Sequence, residues 1–197
     1  TDRSQFSKTR FLRKRIAMVA YSFYESDNRV MRYAEALANR GDSVDVFALA
    51  KRKTLPTKEK LSGVNLRRLQ MRERNEKGKF DYLSRTLRFL LRSSFALTWR
   101  HLFRRYDIIH VHNVPDFLVF AAWFPALTGA RVILDIHDVL PEFFASKFSS
   151  ESSNTKYFDA LVRLERMSCG FADHVIISND LWYEKITRGS VAPRKTT

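Results

Sequence analysis

The sequence predicts an α/β protein built on a single doubly wound parallel sheet with helices on both faces. Three observations predict it. Short β-rich runs alternate with stretches of helical periodicity along the 197 residues. Most of those runs are apolar almost without interruption, as befits strands buried on both faces. The chain is long enough to bury a core of its own and shows no internal repeat, so one domain is the economical solution.

Each element follows in order. RIAMVAY, Arg15 to Tyr21, is the first strand. After it Val30, Ala34, Leu37 and Ala38 recur at i, i+4, i+7 and i+8, one face of a helix, with Asp27 suited to the N-cap and Gly41 to the stop. SVDVFALA (Ser43 to Ala50) and VNLRRLQM (Val64 to Met71) are the second and third strands, and the charged RERNEKGK connects onward. A long helical pattern from Phe80 to Arg104 lines Phe80, Leu83, Leu87, Leu90 and Leu91 along one side, with Arg85, Arg88 and Arg92 in a separate basic stripe. DIIHVHN (Asp107 to Asn113) is the fourth strand. Pro115 then opens a helix over DFLVFAAWFPAL that Gly129 closes, since proline fits a first helical turn. RVILDI is the fifth strand, and the Ser-rich ASKFSSESSNTK is expected as a mobile loop. YFDALVRLERMSCGF is a helix, HVIIS the sixth strand and DLWYEKIT the last helix.

Composition narrows the function. A net charge of +14 predicts attraction to polyanions: nucleic acid, anionic lipid headgroups or phosphorylated substrates. No nucleic-acid module or aromatic-basic platform is recognisable, so nucleic acid is not the expected partner. No apolar run reaches the ~18 residues of a spanning helix. The basic KTRFLRKR before an apolar run imitates a secretory leader, but the run is short and lacks an A-x-A-like cleavage site; a basic tail leading into the first strand is the better reading. Cys169, the single cysteine, excludes a disulfide framework and a Cys-rich zinc site and fits a reducing compartment. Its neighbours offer nothing that would activate a thiol, so it is expected as a small core hydrophobe.

The chemistry is expected where strands end, because open α/β sheets bind ligands beyond their carboxyl ends. VILDIHDVLPEFF, Val132 to Phe144, delivers Asp135, His137, Asp138 and Glu142 at the end of the fifth strand. His110, His112 and Asn113 stand at the end of the fourth, and Tyr21, Ser22, Tyr24, Glu25 and Asn28 follow the first. No G-x-G-x-x-G follows the first strand, where SFYESDNR has no glycine, and no P-loop occurs. The domain therefore has no glycine cradle for a dinucleotide or triphosphate. His110 and His112 share a strand face, and zinc would need further ligands such as Asp138 or Glu142. An imidazole at His137 beside the Asp138 carboxylate fits a general base better, the alternative being a loop cap. His110 reads as a satisfied core histidine, and Asp135 as a group that fastens the loop. The Arg85, Arg88 and Arg92 stripe is expected to rest on anionic lipid, against the alternative of a solvated face.

Four segments together resemble the N-terminal half of a retaining glycosyltransferase of the GT-B fold, family 4: SDNRVMRYAEALANRGDSVDVFAL, YDIIHVHNVPDFLVFAA, ARVILDIHDVLPEFF and LERMSCGFADHVIISND. The resemblance runs from about Arg15 to Arg188. It implies a Rossmann-like acceptor-side domain, one half of the GT-B architecture, with a further domain holding the nucleotide-sugar donor. On this basis residues 1–14 are a basic N-terminal tail, 15–189 the Rossmann-like domain, and 190–197 the start of an interdomain linker or a truncated end. The resemblance makes His137 and Asp138 the catalytic candidates. His112, Asn113, Glu142, Tyr24 and Asn28 become acceptor-side candidates, with Asp138 and Glu142 also holding the loop. It implies no cofactor and no metal, the nucleotide-sugar being a substrate, and no D-x-D stands on a loop. The expected partners are the donor and an anionic membrane surface or lipid-phosphate acceptor. The expected location is cytoplasmic and peripheral, at the inner face of a membrane. The sequence departs from the family at ESDN, where many members carry a glycine pair. Two alternatives accompany this: a non-catalytic basic subunit that docks to a membrane or partner, as in a split transferase, and half of a GT-B-fold sugar epimerase.

Overall fold

A computed structural model describes residues 12–72, 79–137 and 155–197. Their strands form one seven-stranded sheet, ordered β3-β4-β2-β1-β5-β6-β7. The strands are β1 (Arg15–Phe23), β2 (Ser43–Ala50), β3 (Lys58–Leu61), β4 (Val64–Met71), β5 (Ile108–His112), β6 (Arg131–Ile136) and β7 (His174–Ile177). Six of these are the predicted strands. They pair in parallel from β4 to β7, with β1 at the centre of the sheet. The addition is β3, which pairs antiparallel with β4 across a turn at Ser62 and Gly63. Its sequence KEKL is short and polar, the usual dress of an edge strand, and so carried no strand signal. The sheet is accordingly mixed and mostly parallel.

Alternation along β1 builds the two layers. Ala17, Val19 and Tyr21 join one core, and Ile16, Met18 and Ala20 the other. Helix α1 (Asn28–Asn39) covers the second layer with Val30 and Ala34, both fully buried. Its start is capped as expected, Asp27 accepting from the Val30 amide at 3.2 Å. Past its end Gly41 takes φ +100°, a left-handed turn that favours glycine. On the opposite face lie α2 (Lys79–Phe103), a 3₁₀ turn (Asp116–Ala122), α3 (Trp123–Leu127), α4 (Thr155–Phe171) and α5 (Asp180–Gly189).

Two local expectations are corrected. The segment after Pro115 is a 3₁₀ helix followed by a short α-helix, and Pro115 is its extended N-cap rather than its first helical residue. On α2 the side facing the core is Tyr82, Phe89 and Leu97, whereas Phe80, Leu83, Leu87 and Leu91 are exposed and only Leu90 of the predicted row packs inward. Residues 196 and 197 run alongside β7, Thr197 donating to the Val175 carbonyl at 3.1 Å and receiving the Ile177 amide at 2.9 Å. Most of the Ser-rich segment lies outside the described residues; Thr155 and Lys156 open α4. Cys169 is fully buried, and burial raises its thiol pKa well above the ordinary value, with Asp116 and Glu165 adding to that. Among the described residues, no helix is long and apolar enough to cross a membrane.

Candidate active site at the ends of β5 and β6

The strand pairing creates the site. His112 on β5 lies directly across from Asp135 on β6, so His110, His112 and Asp135 project from the same face of the sheet. Asp135 is fully buried, and its two oxygens divide the work. Oδ2 meets His112 Nδ1 at 3.0 Å, with His110 Nε2 at 3.8 Å and Arg29 Nε at 3.9 Å. Oδ1 accepts from Ser178 Oγ at 3.1 Å and lies 3.1 Å from His137 Nε2. Burial by itself would raise this carboxyl. The hydrogen bond from His112 and the charges of His112, His110 and Arg29 outweigh it and hold the group below its ordinary pKa.

His137 sits one residue past β6, half-buried at the rim. Its amide donates to Asn113 Oδ1 at 2.9 Å, and Ser178 Oγ lies 3.2 Å from its Nε2. Asn113 in turn donates from Nδ2 to Asp116 Oδ1 at 2.8 Å. Asp116 is completely buried, and burial pushes its pKa up to about 7, Asn113 pulling down and Glu165 adding to the rise. His110 is pushed the other way, to about 3, by burial and by His112, with Asp135 opposing and Arg29 adding. It is therefore a neutral ring at ordinary pH. Tyr33 of α1 covers the pair, its ring centroid 5.5 Å from His110 and stacked 6.0 Å from His112.

The expected residues thus separate by position. His137 is at the rim with its ring fixed by a carboxylate. His112 and Asn113 are 1% and 6% exposed, under the surface, and reach the rim through Asp135 and the His137 amide. Tyr24 is 2% exposed in the α1-side core, its hydroxyl raised to about 12 by burial and by Glu35 and Glu25. Asn28 is exposed at the start of α1, beside an open pocket of about 570 Å³ that it lines with Arg29, Arg32, Tyr33 and Ala36. Asp138 and Glu142 lie outside the described residues. A second pocket, of about 560 Å³, is lined by Phe23, Lys51, Arg52 and Arg72, just past the carboxyl ends of β2 and β4. Arg85 is tied to Asp81 at 2.7 Å and Arg92 donates to the Leu69 carbonyl at 3.1 Å, so the basic stripe is partly engaged.

Sequence reasoning left Ser178, Arg29 and Tyr33 out of the site and gave Asp135 only the part of fastening the loop. The spacing in H-x-H and D-x-H was the available signal, because it sets side chains on one face; which faces meet is a matter of register. His110, His112 and Asp135 also place one ligand atom each within 4.8 Å of one another, the right donor types for a divalent cation. In this arrangement Asp135 Oδ2 is already engaged by His112 and faced by Arg29, which a cation would have to displace.

A sheet of this order with its polar groups at the carboxyl rim can be set beside known proteins. Sucrose-phosphate synthase from Thermosynechococcus elongatus is 18% identical and superposes with a TM-score of 0.67, over 94% of this chain and 47% of that one. HepE from Anabaena, in complex with UDP and glucose, is 15% identical with a TM-score of 0.55, over 93% of this chain and 43% of that one. A putative UDP-N-acetylglucosamine 2-epimerase from Listeria monocytogenes is 10% identical with a TM-score of 0.57, over 94% of this chain and 44% of that one. The chain thus spans about half the length of these structures. No curated protein sequence matches it significantly. The glycosyl transferase 4-like domain matches residues 26–197, a span that takes in β5, β6 and the whole Asp135 network. The chain belongs to that family, and its sheet is one half of a GT-B fold.

Proposed function

We propose that this chain is the acceptor-side half of a retaining glycosyltransferase. It moves a sugar from a nucleotide-sugar donor to an acceptor, lipid-linked or polysaccharide, at the cytoplasmic surface of a membrane. The observation that carries the reading is the rim position of His137, whose Nε2 is held by the buried Asp135 and by Ser178. With Nε2 engaged, Nδ1 is the nitrogen offered to substrate, and the carboxylate steadies the ring whichever way the proton moves. His112 and Asn113 act by positioning: the first fixes Asp135, the second the His137 backbone. Asp138 and Glu142, outside the described residues, remain the proposed catalytic companion of His137 and an acceptor-side group. Asn28 lines the acceptor side, and the Lys51, Arg52 and Arg72 pocket takes an acceptor phosphate by charge. A second domain grips the nucleotide, which suits a half without a glycine cradle. The reaction requires no metal.

The test is turnover of the full-length protein with a panel of nucleotide-sugars and a lipid-phosphate acceptor. His137→Ala lowers turnover by about 10²-fold or more, with thermal midpoint retained. Turnover within a few-fold of wild type would remove His137 from the mechanism. A product of inverted anomeric configuration would overturn retention. Conversion of the nucleotide-sugar without any acceptor would favour the epimerase alternative.

A further inference from the structure

Helix α2 departs from the pattern of a helix that merely covers a sheet. Its inner side is complete, with Phe89 and Leu97 fully buried. Its outer side is apolar as well. Leu83, Leu87, Leu91, Phe95, Trp99 and Phe103 follow one another at four-residue steps, so neighbours along the row touch and the row winds slowly across the outward surface. All six are exposed, Leu91 at 70% and Phe95 at 71%. The aromatic end is continuous, with ring centroids 6.3 Å apart from Phe95 to Trp99 and 5.0 Å from Trp99 to Phe103. Scattered exposed apolar residues are ordinary, but a contiguous row along a helix of roughly 37 Å is not. Trp123 of α3 extends the patch sideways, its indole donating to Ser94 Oγ of α2 at 3.0 Å.

The charge beside the row says what covers it. From residue 79 to 105 Asp81 is the only acidic residue, against Arg85, Arg88, Arg92, Arg100, Arg104 and Arg105. Arg85 is bound to Asp81, and Arg100 to Asp45 at 2.7 Å. Arg88 and Arg92 are exposed, three residues before Leu91 and Phe95 and so adjacent to them on the helix surface, and the exposed Arg104 and Arg105 follow its end. A second copy of the chain would bring the same arginines and the same +14 charge against this face. The row stands on one convex helix, with apolar groups at its centre and cations at its margin.

We propose that the outward side of α2 is a lipid-docking surface. It lies in the plane of an anionic leaflet, with the leucine and aromatic side chains at the acyl boundary and the arginines among the headgroups. This deepens the membrane setting of the transfer reading by naming the surface that meets lipid, and its test does not require transfer to be found.

The test uses the full-length protein and vesicles of phosphatidylcholine, alone or mixed with phosphatidylglycerol. Wild type sediments with the mixed vesicles far more than with the neutral ones, and less as salt rises. A triple variant, Leu91→Gln with Phe95→Gln and Trp99→Gln, keeps its thermal midpoint and loses at least about tenfold in binding. Arg88→Glu with Arg92→Glu also weakens binding, selectively to the anionic vesicles. Failure of wild type to bind mixed vesicles, or equal binding by the triple variant, would overturn the proposal. So would a wild-type dimer that the triple variant dissolves without any vesicle binding, which would assign the row to a second copy. The triple variant also keeps transfer to a water-soluble acceptor; losing it would mean that the row serves the site rather than lipid. If transfer itself is never found, the vesicle result still decides the docking surface.

Discussion

The rim of β5 and β6 and the outer side of α2 invert the usual order of a protein in opposite senses. At the rim, ionisable groups are inside: Asp135 is fully buried and His112 nearly so. On α2 large apolar groups are outside. Buried charge and exposed apolar surface are the two placements that burial energetics discourages, so each calls for a reason. At the rim the reason is internal, because Asp135 has partners for both oxygens and the network holds a half-exposed imidazole in place. On α2 nothing among the described residues supplies the partner, which points outside the chain. The lesson is that a polar network can be judged by counting its hydrogen bonds, whereas an apolar surface must be judged by what its surroundings would attract.

The difference can be tested hardest at Asp135. Asp135→Ala strands His112, His110 and Arg29 around an empty site, and the expected loss is about 3–5 kcal/mol, a fall of roughly 6–20 °C in Tm by calorimetry. A loss under about 1 kcal/mol would mean that the histidines find water or each other at little cost. Next comes α2, where inner and outer residues lie within two turns. Leu97→Ala on the inner side costs about 2–5 kcal/mol in a urea titration, through the cavity it leaves. Leu91→Gln, Phe95→Gln and Trp99→Gln each stay within about 0.5 kcal/mol. Equal losses on both sides would show that the row is covered in the folded protein.

Smaller effects follow from pH. Burial holds His110 near 3 instead of its ordinary 6.5, so the unfolded chain binds a proton that the folded chain refuses. Its contribution to stability is whole above 6.5 and declines as the pH falls toward 3. Asp116 acts in the opposite sense. Burial lifts it from 3.8 to about 7, so its contribution is whole below 3.8 and is lost as the pH rises through 7. Urea midpoints across this range are expected to decline less on the acid side for His110→Asn, and for Asp116→Asn to lose the decline that wild type shows between about pH 4 and 7. A curve unchanged by either substitution would show that these groups reach water.

Much of the fold could be read from residue order. Apolar runs such as VILDI and SVDVFALA carry their own strand propensity and their own need for burial on both faces, and Asp27 and Gly41 punctuate α1 by local geometry. The parallel sheet follows from that, and with it the gathering of polar side chains, His137 among them, at its carboxyl rim. What residue order could not decide was every question of partner. β3 forms because β4 lies beside it, not because KEKL favours a strand. The helical period of α2 shows two apolar sides, and only the arrival of β1, β4 and the 3₁₀ turn against Phe89 and Leu97 settles which is core. Asp135 meets His112 because register sets the two residues opposite each other. Local sequence fixes how a segment is made and which faces it has, since those depend on neighbours a few residues away. Which face meets which depends on groups dozens of residues distant, and that is settled only when the whole chain closes around its core.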